Sequence, residues 1–132
     1  MANTKDCVFI HFICGDELLV CRDNENGLYC VAGGHLKNNE PIISGLRREL
    51  LEESGLTFSG LEDNIINAKW YKVEKPDCCV YQCVVRIPDK EMLSPVDTKE
   101  CSGWDWLKIT DLPEEETKQG LYAFRSHLAW NV

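Results

Sequence analysis

Residues 6–14 are dominated by β-branched and aromatic side chains (Val8, Phe9, Ile10, Phe12, Ile13), a run that predicts a strand closing at Gly15-Asp16. Residues 17–22 predict the second arm of a hairpin. The polar stretch from Asp23 to Gly27 then predicts a turn, because Asn and Gly tolerate turn backbone that other residues resist. Residues 28–32 are expected to form a short third strand running into Gly33-Gly34.

From residue 41 to 54 the period changes to that of a helix, with Pro41 suited to the first helical position and Gly55 placed for a C-terminal cap. Ile43, Leu46 and Leu50 fall on one stripe. Further on, residues 69–73 and 78–87 predict strands around a turn at Pro76-Asp77, and residues 102–109 a last short strand. Thr110 to Glu116 predicts a helix start with acidic residues in its first turn. A final amphipathic helix over 118–130 would place Leu121, Phe124 and Leu128 on one face. The order of strands, helix, strands and helix predicts an α+β architecture, a mixed sheet with helices on its faces.

A length of 132 residues suits one domain, 1–132, and an apolar fraction of 44% supplies material for one core. The N-terminus has no charged start leading into an apolar stretch, and no segment reaches the roughly 20 apolar residues that span a bilayer. The expectation is a soluble, cytoplasmic chain. Its eight cysteines include no Cys-x-x-Cys pair and most lie in apolar runs, so they read as reduced, mostly buried thiols, with Cys78 and Cys79 the place for any redox sensitivity. A net charge of -8 argues against broad adhesion to nucleic acid or anionic membrane, but not against a phosphate ligand carried with a metal ion.

Candidate chemistry lies on the helix over 41–54. At about 100° per residue, Glu49, Glu52 and Glu53 share one flank next to the apolar stripe, where like charges repel. A divalent cation would turn that repulsion into coordination. Magnesium, with manganese as a possible substitute, favours carboxylate oxygens plus waters and phosphate oxygens. Gly33-Gly34 would let the backbone approach a ligand closely, with the Gly34 carbonyl as a further donor, and Arg48 can hold a carboxylate by paired hydrogen bonds.

The complete string is Gly34, five residues, Glu40, seven residues, Arg48-Glu49-Leu50, one residue, Glu52-Glu53, one residue, Gly55-Leu56. It resembles the signature of the Nudix hydrolases at every fixed position. Leu18 to Arg22 is similar to that family's second strand, and Trp104-Asp105-Trp106 with Leu112-Pro113 to its late segment. The resemblance implies a Nudix-like α/β/α sandwich with a catalytic loop-helix-loop. It implies Glu49 and Glu53 as main magnesium ligands, Glu52 as ligand or base, Arg48 orienting Glu49, and Glu40 locking the loop onto the helix. Arg22 reads either as a solvated strand end or as the arginine that contacts substrate phosphates, with Gly33, Gly34 and His35 also near substrate. Asp97 and Glu100 are both candidates for an additional acidic ligand. Two positions depart from the pattern: Ala32 stands where proline is usual, and Asn39 where glycine is usual.

The small size and His35-Leu36 are similar to the MutT-like branch, which converts a nucleoside triphosphate to the monophosphate and pyrophosphate. Alternatives are an ADP-sugar, a dinucleoside polyphosphate or an RNA cap, although Tyr71 and Val73 stand where signatures for the first two would fall. A non-catalytic nucleotide-binding module is a further alternative, disfavoured by the intact signature. Trp70, Tyr71, Tyr81, Trp104 and Trp106 could stack on a base, but most read as core. His11 and His127 read as packing or surface residues. The chain is expected to act as a monomer or homodimer on a small nucleotide.

Overall fold

In the computed structural model, which describes residues 5–129, the strand that orders the fold is the first, β1 (Cys7–Cys14). Its alternation divides the interior in two. Val8, Ile10 and Phe12 point to one face of the sheet, where Leu46 and Leu50 of helix α1 (Ile42–Ser54) cover them. Phe9 and Ile13 point to the other, which is closed by Leu121, Phe124 and Leu128 of helix α3 (Gln119–Ala129). Because both faces are covered, β1 reads as a nearly unbroken apolar run rather than an alternating one.

Beside it stand β2 (Glu17–Asp23), β3 (Tyr29–Cys30), β4 (Gly33–His35), β5 (Lys69–Glu74), β6 (Cys79–Arg86) and β7 (Cys101–Lys108). The seven strands form one mixed sheet in the order β3-β2-β1-β6-β5, with β4 on β1 and β7 on β2. β1 and β6 run parallel and the other pairs antiparallel. A short helix α2 (Glu62–Ile66) sends Ile65 into the α1 side of the core, together with Leu61 and Phe58. The architecture is the mixed sheet with helices on its faces that the element order predicts, arranged as the α/β/α sandwich that the resemblance implies. No helix among the described residues is long and apolar enough to cross a membrane.

Several local expectations change. The third strand shrinks to Tyr29–Cys30, and Gly33–His35 forms a strand of its own by pairing back onto β1. Pro41 is extended (φ -60°, ψ 143°) and caps α1 from outside rather than opening it. Ile43 is 41% exposed, so the buried stripe of α1 is Leu46 and Leu50 with Ile42 packed beside them. Thr110 to Glu116 starts no helix. It makes two single 3₁₀ turns, Ile109–Asp111 and Glu114–Glu116, because Thr117 is drawn into an extended bridge with Tyr29 and the Lys118 N–H donates to the Tyr29 carbonyl. The expected end of the last helix at Trp130 lies outside the described residues.

Asn39, the departure from the signature's glycine, has φ 62° and is the one non-glycine at positive φ among the described residues. Asparagine tolerates this left-handed backbone, so the loop keeps the turn that glycine would make. Asn39→Val is expected to cost about 1–2 kcal/mol in chemical unfolding while Asn39→Gly costs nothing measurable. Equal stability of the two variants would show that this turn is not required.

Candidate active site

The loop between β4 and α1 is fixed to the helix by one guanidinium. Arg48 Nε and Nη2 donate to the two oxygens of Glu40, both at 2.9 Å. Nη2 also donates to the His35 carbonyl at 3.1 Å, and Nη1 donates to Glu49 Oε1 at 2.9 Å and Glu52 Oε2 at 3.5 Å. The paired bond thus goes to Glu40, with Glu49 receiving a single one. Glu40 also accepts the Lys37 N–H, and the Arg48 guanidinium holds its carboxyl well below the usual range, at about 2. Gly45 leaves room for Leu36, since a Cβ there would stand 2.2 Å from the leucine's Cδ2.

Behind this clamp the carboxylates converge. Glu49 is buried, Glu52 is exposed, and both lie with Glu100 so that one oxygen from each falls within 4.8 Å of the others. Asp97 is occupied elsewhere, accepting the Gly103 N–H at 3.0 Å. Burial pushes the Glu49 carboxyl up against the pull of Arg48, with Glu52 and Glu100 adding to the rise. Gly34 lies against this group, because a Cβ on it would stand 2.9 Å from Glu49 Oε2.

Glu53 points differently. Its Oε1 accepts the Gly33 N–H at 2.7 Å, so that N–H is not available to a substrate. Gly33 sits so close to β1 that a Cβ would meet the Val8 carbonyl oxygen at 2.3 Å, which makes glycine obligatory for this anchor. Burial raises the Glu53 carboxyl to about 8. Oxygen donors from carboxylates with unfavourable charge among them fit a hard divalent cation.

Arg22 is engaged away from the α1 glutamates. Its Nη1 donates to the Gly27 carbonyl at 2.9 Å, its guanidinium lies 3.8 Å from the Tyr29 ring centroid, and Glu116 is 3.4 Å away. The His35 side chain is exposed, with Nδ1 3.4 Å from Cys7 Sγ.

On the other face, a cavity of about 440 Å³ lies between the sheet residues Phe9, His11, Val80 and Gln82 and the α3 residues Phe124 and His127. None of the five tryptophans and tyrosines considered as a stacking surface lines it. Trp70 is exposed, Tyr71 packs on Phe124 and His127, and Tyr81, Trp104 and Trp106 pack on the α1-side core. His11 is buried and stacks on Phe124 at 4.9 Å. Its Nε2 lies 2.7 Å from Gln82 Oε1, so Nε2 carries the proton and Nδ1 is an acceptor without a hydrogen-bond partner among the described residues. Burial lowers its pKa to about 4, which keeps the ring neutral near pH 7. His11 and Gln82 escape a sequence reading because their only signal is a polar residue inside an apolar strand. Cys30 and Lys118 also line the cavity.

The chain belongs to the NUDIX domain family, whose model matches residues 5–128. Within that domain the signature loop and helix form the clamp and carboxylate group just described. Among solved structures it is similar to a bifunctional NMN adenylyltransferase/ADP ribose pyrophosphatase from Francisella tularensis, complexed with AMP and a Mn ion. That match has a TM-score of 0.75 and 16% identity, and covers 99% of this chain but 42% of the other, so this chain spans about two fifths of that protein. It is also similar to the E. coli dihydroneopterin triphosphate pyrophosphohydrolase (TM-score 0.70, 13% identity, 99% of this chain and 98% of the other). A MutT NUDIX hydrolase from Burkholderia pseudomallei gives 0.67 and 14%, covering 92% and 95%. At these identities the likeness is one of fold.

The raised Glu53 carboxyl sets a direction for metal binding. Below about pH 8 the metal-free protein keeps a proton on Glu53, and a cation bound there must displace it. Calorimetric Mg²⁺ affinity is therefore expected to rise by up to about tenfold per pH unit from 6 to 8, and Glu53→Gln to flatten that rise. A pH-independent affinity in the unaltered chain would contradict it.

Proposed function

We propose that this chain hydrolyses a nucleoside triphosphate to the monophosphate and pyrophosphate with Mg²⁺, Mn²⁺ being a possible substitute. The observation that carries the reading is the convergence of Glu49, Glu52 and Glu100 beside Gly34, with Glu49 and Glu52 bonded to Arg48 and Glu53 anchored by the Gly33 N–H. Glu49, Glu53 and the Gly34 carbonyl would hold the metal, with Glu100 as the additional acidic ligand. When bound, the ion neutralises phosphate oxygens and strengthens the electrophile at phosphorus.

The chain's own groups do the rest. Glu40 and Arg48 fix Glu49 so that little reorganisation is needed when charge develops. Glu52, exposed to bulk water and left free of the metal by this assignment, accepts the proton as the water oxygen attacks phosphorus. The P–O bond opposite the attack breaks, and the leaving phosphate departs with the electron pair. Arg22, whose contacts to Glu116 are long at 3.4 and 3.5 Å, is a candidate to exchange that carboxylate for a substrate phosphate.

The triphosphate reading draws on two further points. The cavity's 440 Å³ lies within the range of small-molecule sites, and its lining of Phe9, His11, Gln82 and Phe124 offers aromatic and polar surface to a base. Two of the similar structures match this chain over nearly their whole length, and one of those proteins is named for a triphosphate.

Glu53→Gln is expected to lower Mg²⁺-dependent triphosphate turnover by about 10³-fold or more with an unchanged circular dichroism spectrum. Turnover within a few-fold of the unaltered chain would remove the assignment. In the base cavity His11→Phe removes the Nδ1 acceptor offered to the base, together with the Nε2 bond to Gln82, so KM is expected to rise about tenfold at similar kcat. A drop in kcat with unchanged KM would place the base elsewhere.

A further inference from the structure

Three cysteines that are far apart in sequence meet inside the sheet. Cys21 on β2, Cys30 on β3 and Cys101 at the start of β7 are all buried, at 0%, 5% and 2% exposure, and their sulfurs lie within 4.8 Å of one another. Cys21 and Cys30 face each other across the β2–β3 ladder with Sγ atoms 3.5 Å apart. The third sulfur arrives through a bulge: between the Val20–Asp105 and Arg22–Ser102 pairs, Cys21 alone opposes Gly103 and Trp104. Gly103, at φ 64°, supplies the left-handed residue that such a bulge needs. All eight cysteines are free thiols, and the other buried one, Cys83, has no sulfur partner of this kind.

We propose that Cys21, Cys30 and Cys101 form a three-sulfur site for a thiophilic divalent cation of the zinc type, separate from the carboxylate site for the hard cation. The dimensions agree. A zinc–sulfur bond of about 2.3 Å requires sulfurs about 3.8 Å apart in a tetrahedral site and about 4.0 Å in a trigonal one, close to the 3.5 Å between Cys21 and Cys30 and inside the 4.8 Å within which all three sulfurs lie. Soft sulfur donors select such a cation over magnesium, so the two sites divide metals by donor chemistry. Cys30 also lines the 440 Å³ cavity, which places the trio next to open space. A cation there would join β2, β3 and β7 and fix the strand that begins directly after Glu100. Its existence does not depend on the substrate assignment above.

The test uses the whole reduced chain with Mg²⁺ in excess, so that carboxylate sites are filled, and adds zinc or its spectroscopic substitute cadmium. One equivalent of cadmium should produce a saturating thiolate-to-metal charge-transfer band, and X-ray absorption of the zinc form should show three sulfurs at about 2.3 Å. Zinc at about a hundredfold over its Kd should raise Tm by roughly 5–10 °C. Cys30→Ser should lose the band and the shift, while Cys83→Ser and Cys78→Ser keep both. A zinc shell of oxygen and nitrogen alone in the unaltered chain would overturn the proposal without reference to any variant. So would a band that survives Cys30→Ser but vanishes with Cys78→Ser.

Discussion

The Arg48 guanidinium is the interaction on which the rest of the site depends. Four donor–acceptor contacts of 2.9 to 3.1 Å join it to Glu40, Glu49 and the His35 backbone, so that loop, helix and carboxylate group become one unit. Charge-assisted bonds of this kind contribute on the order of 2 kcal/mol each, more than the weak helical pairing of Arg48 with Glu52 at 3.5 Å. The clamp costs the protein flexibility where flexibility would blur the positions of metal ligands. Apolar packing secures the same joint from beneath, through Leu36 against the space left by Gly45 and through Leu46 and Leu50 against β1.

On this frame the site holds charge that folding alone disfavours. Glu49 and Glu53 are both raised by burial, and only Glu53 has a backbone donor as compensation, the Gly33 N–H. Carboxylates so placed act as a receptor for positive charge rather than as a contribution to stability. The cavity on the opposite face of the sheet carries basic residues, Lys75 and Lys118, in place of acidic ones. His11 is kept uncharged by burial, and its cavity offers aromatic and amide surface with no carboxylate in its lining. A substrate that is polyanionic at one end and flat and polar at the other matches the two faces in turn.

What could be read from the sequence divides along the range of the interactions involved. The α1 signature, Leu46 and Leu50, the Gly55 cap and the flank of glutamates are set within a few helical turns, and their pattern is legible in the chain. Leu121, Phe124 and Leu128 are legible for the same reason. What the chain leaves open or misreads is decided by a distant strand. The acidic run at 114–116 stays a single turn because Tyr29 draws Thr117 into the sheet. Glu100 rather than Asp97 joins the α1 glutamates because the Gly103 N–H occupies Asp97. The cysteine trio shows no motif spacing at all, since its members reach each other through the β2–β3 ladder and the bulge opposite Cys21.

The central claim is that the Arg48-clamped carboxylates cut triphosphates between the part kept as monophosphate and the part released as pyrophosphate. Product analysis tests it most directly, with nucleoside triphosphates, ADP-ribose, a diadenosine polyphosphate and capped RNA each incubated with Mg²⁺. The account predicts monophosphate and pyrophosphate in equal amounts from triphosphates, no reaction without divalent cation, and slower cleavage of the other substrates. Release of orthophosphate from triphosphates, or faster cleavage of ADP-ribose or the cap, would contradict it.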